Sequence, residues 1–257
     1  MTTTAMLRFT IVFLSLLPFT ASQKFEPYQL NGGLVAAIAG KNYCLLAGDT
    51  RMMDGGYQIY TRNLMRMFGL RGKELPLPEV NEEILVKSGG STLIAAAGCQ
   101  SDCNALQRQL NFQVKAHDDD MLETSNVAQL LSSTLYSRRS FPYYSFCVVG
   151  GIDDAGGSKV YVYDAIGSME QVAVGTAGTG RELLQPILDR LFSSSSGITV
   201  DCSSEEAVAL LTQAYHAVTE RDIGVGDSLV LCLLTCSGDG DDDDAKCRII
   251  RVPLKKH

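Results

Sequence analysis

Residues 31–51 read Asn-Gly-Gly-Leu-Val-Ala-Ala-Ile-Ala-Gly-Lys-Asn-Tyr-Cys-Leu-Leu-Ala-Gly-Asp-Thr-Arg. Within them, two short apolar runs at residues 34–39 and 43–47 flank the break Gly-Lys-Asn. Apolar runs separated by such a break are typical of a tight β-hairpin. The stretch therefore predicts two antiparallel strands that begin at a glycine pair and end at Asp49, two residues before Arg51.

The rest of the chain predicts strands, two helices, strands, two helices and final strands. Cys103, Leu106, Leu110 and Val114 recur at helical spacing, and Ser203-x-x-Glu206 is a capping box that opens the fourth helix. Predicted strands lie at residues 57–62, 84–87, 92–97, 141–149, 159–164, 169–174, 228–235 and 248–252, with 84–87 and 92–97 expected to form a hairpin. This order indicates an α+β fold with two antiparallel sheets stacked between helical layers.

Size and charge exclude some classes of protein. The 257 residues are 46% hydrophobic, which suits one large domain or two small ones with a substantial core. The formal net charge of −7 argues against a general nucleic-acid binder, because phosphate contacts need a basic face.

The eight cysteines are expected to be reduced. Most lie in apolar strand-like runs such as Leu231-Cys232-Leu233, where cysteine behaves as a small hydrophobe. Neither Cys99-x3-Cys103 nor Cys232-x3-Cys236 has the second half of a zinc site. The cysteines thus indicate a reducing compartment, although an even number leaves four disulfides as an alternative.

The N-terminus favours a different compartment. Arg8 precedes an apolar run from Phe9 to Phe19, and the small residues Thr20-Ala21-Ser22 follow. This pattern is typical of a secretory signal, and it is too short for a membrane-spanning helix of about 20 residues. The alternative is a leader or extension that packs on a neighbouring subunit.

Three further patterns have more ordinary interpretations. Gly175–Gly180 lacks the lysine of a phosphate-binding loop and is expected to be a strand-to-helix turn. Asp239, Asp241 and Asp243 lack the glycine and glutamate of a calcium loop. The histidines are scattered along the chain, and no Gly-x-Ser-x-Gly elbow exists. They are His117, His216 and His257.

Six blocks in order resemble one known family. They are Lys24-Phe25-Glu26-Pro27-Tyr28 with Asn31-Gly32-Gly33, Ala47-Gly48-Asp49-Thr50-Arg51, Tyr136-Ser137-Arg138-Arg139 with Phe141-Pro142-Tyr143-Tyr144, Gly150-Gly151-x-Asp153, Leu184-Gln185-Pro186-x-Leu188-Asp189, and Glu220-Arg221-Asp222 with Gly226-Asp227. From about Lys24 to the C-terminus the chain resembles the beta subunits of the proteasome. The Tyr-Ser-Arg-Arg block favours a non-catalytic member of the beta ring.

The resemblance implies the N-terminal-nucleophile hydrolase fold, a four-layer αββα sandwich. Members that cut peptides begin at a threonine whose hydroxyl is the nucleophile and whose freed α-amino group is the base. That position is Gly33 here, so the nucleophile position is vacated and no catalytic residue is expected.

The rest of the implied site is only partly kept. Asp49 keeps the family's aspartate, Arg66 stands where a lysine is expected, and Asp222 matches the aspartate of the Arg-Asp turn. Val225 replaces a hydroxyl residue, and Gly175–Gly180 would cover the oxyanion turn. Arginine keeps a charge but cannot exchange a proton.

The resemblance further implies a structural role. The chain would be a non-catalytic beta subunit of the 20S core, with residues 1–32 as a leader and 33–257 as the beta-type domain. Its partners would be alpha and beta subunits in a 28-subunit particle of the cytoplasm and nucleus. No cofactor, metal, nucleic acid or membrane is expected.

Two alternatives remain open. One is an active N-terminal-nucleophile hydrolase that begins elsewhere, for example at Ser22 after signal cleavage. The other is a secreted binding protein with four disulfides.

Overall fold

The computed structural model describes residues 27–55, 57–70, 74–87, 90–116, 123–153, 157–192, 197–235 and 246–254. The strands are β1 (Leu34–Ala39), β2 (Tyr43–Asp49), β3 (Met52–Met53), β4 (Ile59–Thr61), β5 (Met67–Gly69), β6 (Glu83–Lys87), β7 (Thr92–Gly98), β8 (Ser145–Ile152), β9 (Ser158–Tyr163), β10 (Met169–Val172), β11 (Val174–Gly178), β12 (Ser228–Thr235) and β13 (Lys246–Pro253). The helices are α1 (Gln100–Ala116), α2 (Thr124–Ser137), α3 (Arg181–Leu191) and α4 (Ser204–Thr219).

Two antiparallel sheets form the centre of the fold. Sheet I has six strands in the order β11-β1-β2-β12-β13-β6, and sheet II has five in the order β10-β9-β8-β7-β5. The predicted hairpin is confirmed, because β1 and β2 pair with Val35 opposite Gly48 and Ala39 opposite Cys44. It lies in the middle of sheet I, between β11 and β12.

The continuous apolar run of β1 is explained by burial on both faces. Leu34, Ala36 and Ile38 pack in one core with α3 and α4, while Val35 and Ala37 pack in a second core between the sheets. Alternate side chains of a strand point to opposite faces, so one run contributes to both layers. A third core lies between sheet II and the helices α1 and α2. The predicted α+β arrangement of two antiparallel sheets between helical layers is thus confirmed as four layers.

The predicted capping box at the start of α4 is confirmed on one side. The Ser203 hydroxyl accepts a hydrogen bond from the Glu206 N–H at 3.2 Å. This bond satisfies one of the N–H groups that a helix leaves free in its first turn.

We expect Ser203→Ala to lower the free energy of unfolding by about 1 kcal/mol, because this N–H loses its acceptor. Urea unfolding followed by circular dichroism measures the change, since the chain has no tryptophan to report fluorescence. Ser204→Ala is the matched control: the Ser204 hydroxyl contacts only the exposed Glu205 side chain. An equal loss in both variants would contradict the capping role.

The predicted hairpin of residues 84–87 and 92–97 is wrong. β6 pairs with β13 in sheet I, with Ile84 opposite Ile249, whereas β7 pairs with β8 in sheet II, with Ile94 opposite Val149. The physical reason is burial: β7 is buried along its length, while β6 is an edge strand with Leu85 exposed. Neighbouring segments of the chain therefore enter different sheets.

The prediction of a turn at Gly175–Gly180 is also wrong for the first residues of this range. Val174–Gly178 is strand β11, which pairs with β1, and only the residues after it turn into α3. A Cβ on Gly175 would overlap the Val162 side chain of sheet II, so glycine here permits close sheet packing. The predicted strand at residues 57–62 shortens to β4, which forms a two-stranded ribbon with β3.

The structure contradicts four disulfides. The seven cysteines it describes are free thiols, and Cys236 lies outside the described residues. In the described part of the chain no helix is long and apolar enough to cross a membrane. The signal-like run from Phe9 to Phe19, Ser22, the acidic tip at Asp239, Asp241 and Asp243, and two histidines (His117 and His257) also lie outside the described residues.

Candidate functional site

Asp49 lies at the centre of a buried polar cluster where β2 ends. One carboxylate oxygen accepts the Leu34 N–H at 2.8 Å, and the other accepts the N–H groups of Arg51 and Gly226 at 3.2 Å each. The Asp49 side chain has no exposed area. These bonds join the start of β1, the end of β2 and the turn before β12.

Arg66 forms a buried ion pair with Asp49. Its Nε donates at 2.9 Å both to the Asp49 carboxylate and to the Asp49 carbonyl oxygen, and its Nη2 donates to the Arg51 carbonyl oxygen. Burial raises the pKa of Asp49, and the Arg66 charge with the N–H donors opposes that rise. The two residues predicted to flank the nucleophile position are therefore brought together.

Gly33 adopts a backbone conformation and a packing that exclude a side chain. Its φ is +101°, and a Cβ built on it would overlap the guanidinium group of Arg66. The Gly33 N–H donates to the Gly224 carbonyl oxygen at 3.1 Å, and the Gly33 carbonyl accepts from the Thr179 N–H at 2.9 Å. The space that a nucleophilic side chain would use is occupied by Arg66.

Asp222 has a different role from the other two. Its carboxylate accepts the Gly224 N–H at 2.8 Å, so it shapes the turn whose carbonyl group holds Gly33. Val225 in the same turn is fully buried in the core on the helical side of sheet I. Asp222 thus acts on Gly33 through the backbone of the turn.

The expected oxyanion turn has no free N–H at Thr179. That group is bonded to the Gly33 carbonyl oxygen, and the strand β11 before it pairs with β1. A donor already bonded within the protein cannot stabilise a developing oxyanion. The Thr179 N–H is therefore not available for that role, and the rest of the Gly175–Gly180 assignment stays a prediction.

Sequence reasoning missed a second buried ion pair beside the first. The Arg51 Nε donates to the Asp227 carboxylate at 2.9 Å, and the half-exposed Arg62 also pairs with Asp227. A Cβ on Gly226 would contact the Arg51 guanidinium. The signal was present in the Asp-Thr-Arg and Gly-Asp blocks, but spacing along the chain does not reveal which charges meet.

The residues that precede Gly33 are also part of the site. Asn31 is buried; its side chain donates to the Met53 carbonyl oxygen at 2.7 Å and accepts the Gln100 N–H at 2.8 Å. The Tyr28 ring stacks on Phe141 and Tyr144, with ring centres 5.5 and 5.2 Å apart. The last residues of the predicted leader therefore pack against the β3–β4 ribbon and the start of α1.

We expect Asn31→Ala to lower the free energy of unfolding by about 2 kcal/mol, because it leaves a buried N–H and a carbonyl group without partners. Urea unfolding of the full chain measures this loss. Asn126→Ala serves as the control, because Asn126 is exposed in the first turn of α2. A loss below about 0.5 kcal/mol in Asn31→Ala would show that the segment is only loosely attached.

A buried tyrosine also contacts the start of β1. The Tyr215 hydroxyl donates to the Leu34 carbonyl oxygen at 3.1 Å, and burial raises the pKa of Tyr215 well above its usual range. Among the described residues, no three His, Cys, Asp or Glu side chains come together as metal ligands. The cluster around Asp49 is suited to holding backbone segments in place.

Comparison with known proteins gives one consistent result. The family model described as "Proteasome subunit" matches residues 83–234. Proteasome subunit beta type-1 of Dictyostelium discoideum is 37% identical over 211 residues, which cover 79% of this chain and 82% of the relative.

Other relatives carry similar names. Proteasome subunit beta type-1 of Petunia hybrida is 35% identical over 83% of this chain and 92% of its own length. Proteasome subunit beta type-1-B of Carassius auratus is 33% identical over 84% of this chain and 85% of its own length.

Proposed function

The chain belongs to the proteasome subunit family, and on this basis we propose that it is a non-catalytic beta subunit of the 20S proteasome core particle. The proposal assigns it an architectural role: it completes the beta ring and positions the neighbouring subunits that cut protein substrates. The relatives named beta type-1 support the choice of subunit.

The occupation of the Gly33 position by Arg66 carries the non-catalytic assignment. Catalysis by this fold needs a hydroxyl nucleophile and a free α-amino group at one residue. At Gly33 there is no side chain, and the guanidinium of Arg66 overlaps the place where a Cβ would lie. Asp49, Arg66 and Asp222 would then be a remnant that stabilises the fold.

We propose that residues 1–32 form a leader whose last residues stay in the assembled subunit, and that residues 33–257 form the beta-type domain. The buried contacts of Asn31 and the ring stacking of Tyr28 support retention, because removal of these residues would expose their partners to water. The partners would be alpha and beta subunits in a 28-subunit particle of the cytoplasm and nucleus.

Purified core particles test the proposal. Intact-mass analysis should find this chain in the particle with an N-terminus before Tyr28, and an electrophilic active-site probe should label other beta subunits but not this one. Probe attachment to this chain, or a mature N-terminus at Ser22 with peptidase activity, would favour the active hydrolase. Absence of the chain from the particle would contradict the subunit assignment itself.

A further inference from the structure

Two arginines at the end of α2 form an exposed patch with aromatic rings. The Arg138 guanidinium lies over the Tyr143 ring, 5.5 Å from its centre, and the Arg139 guanidinium lies over the Tyr136 ring at 4.6 Å. Tyr136 is 55% exposed, and the neighbouring Phe141 is 61% exposed. We call these five residues the Arg138–Arg139 patch.

The two positive charges have no acidic partner within the described part of the chain. None of its ion pairs includes Arg138 or Arg139, and besides the Tyr136 ring the Arg139 guanidinium contacts the Tyr136 carbonyl oxygen, at 3.4 Å. Basic residues near a helix C-terminus interact favourably with the helix dipole, which accounts for the charges. It does not account for the exposed aromatic rings beside them.

Within the described part of the chain, the guanidinium N–H groups of Arg138 make no hydrogen bond and those of Arg139 make one, to the Tyr136 carbonyl oxygen. A guanidinium that stacks on a ring uses its face, while its N–H groups point outward in the plane and match a carboxylate in a bidentate contact. Stacking also restricts the side chain before binding, which lowers the entropic cost of forming that contact. Tyrosine and arginine, together with tryptophan, are enriched among the residues that contribute most to binding at protein interfaces.

Tyr28 of the leader segment contacts the patch. The Tyr28 hydroxyl donates to the Pro142 carbonyl oxygen at 2.8 Å, and its ring stacks on Phe141. Tyr144, which also stacks on Tyr28, makes an edge contact with Phe146 in sheet II at 5.1 Å between ring centres. The exposed Phe141 ring is therefore connected to the core through Tyr28 and Tyr144.

We propose that the Arg138–Arg139 patch is a docking surface for an acidic segment of a neighbouring subunit, whose carboxylates pair with the two guanidinium groups while its apolar atoms cover Tyr136 and Phe141. The argument rests on charge complementarity and on the proposed assembly into a core particle. A nucleic acid is a poorer occupant, because the chain as a whole carries a net charge of −7.

Zero-length cross-linking in intact particles tests the proposal directly. In Arg139→Lys the introduced amine keeps the charge, and a carbodiimide joins it as an amide to any carboxylate within contact distance. We expect a cross-link to an aspartate or glutamate of a different subunit, identified by mass spectrometry, and none at this position in the unsubstituted particle. A particle that contains the variant but gives no such cross-link would overturn the docking surface.

Charge reversal gives a second measurement. Arg139→Glu should reduce the amount of this chain in purified particles at least about tenfold, since like charges across an interface repel. Arg190→Glu is the matched control and should assemble normally, because Arg190 is an exposed arginine on α3 and no cation–π contact with it is found among the described residues. Equal loss in both variants, or normal assembly of Arg139→Glu, would overturn the proposal. Absence of the unsubstituted chain from particles would instead contradict the proposed function.

Discussion

Gly33→Thr is expected to give no peptide cleavage in assembled particles whose native sites are inhibited, and to lower the free energy of unfolding by about 3 kcal/mol. The left-handed conformation at φ +101° costs a residue with a side chain about 1–2 kcal/mol, and the new Cβ would also displace the buried Arg66 guanidinium. The introduced hydroxyl would lack a base as well, because the Gly33 nitrogen is an amide while the leader remains attached.

Two measurements check this prediction. Hydrolysis of fluorogenic peptides by the inhibited particle reports activity, and urea unfolding followed by circular dichroism reports stability. Gly157→Thr is the matched control, since no atom lies within 4 Å of the place where its Cβ would be, and we expect a change below about 0.5 kcal/mol. Peptide cleavage by Gly33→Thr alone would contradict the assignment of Arg66 as an obstacle to catalysis.

Local patterns were sufficient to predict the elements around Gly33. The hairpin β1–β2 follows from two apolar runs and a turn, and the start of α4 follows from Ser203 and Glu206, because these signals act over a few residues. The partner of β6 could not be predicted in the same way. Its pairing with β13 depends on contacts between residues about 160 positions apart, such as Ile84 and Ile249, which patterns over a few residues do not reveal.

The site was predictable as a set of residues but not as a geometry. The family resemblance selected Asp49 and Arg66, and the structure joins them at 2.9 Å. Nothing in the spacing indicated that the Arg66 guanidinium would lie over Gly33, because a long side chain can adopt many rotamers until packing selects one. The ion pair between Arg51 and Asp227 was missed for the same reason.

Removal of the Arg66 charge should have the largest effect on stability. Arg66→Met keeps an unbranched side chain of similar reach but leaves the Asp49 carboxylate buried without its cation. Breaking one partner of a buried ion pair costs about 3–5 kcal/mol, and we expect a loss in this range at pH 7 by urea unfolding. Arg66→Lys should lose less, because it keeps the charge but cannot donate in the same geometry to Asp49 and to the Arg51 carbonyl.

The free energy of unfolding of Arg66→Met should also depend on pH, in the direction expected for a buried Asp49 carboxyl group. Burial raises the pKa of Asp49, and without Arg66 one of the main opposing influences is gone. The folded variant then holds a proton that the unfolded chain releases at about pH 4, so its free energy of unfolding falls as pH rises from there through the raised pKa. The loss relative to the unsubstituted chain should therefore be smaller at pH 5 than at pH 7. Asp49→Asn combined with Arg66→Met should remove the pH dependence, because no titratable group remains in the pair. If that dependence persisted in the double variant, the titrating group would lie elsewhere than at Asp49.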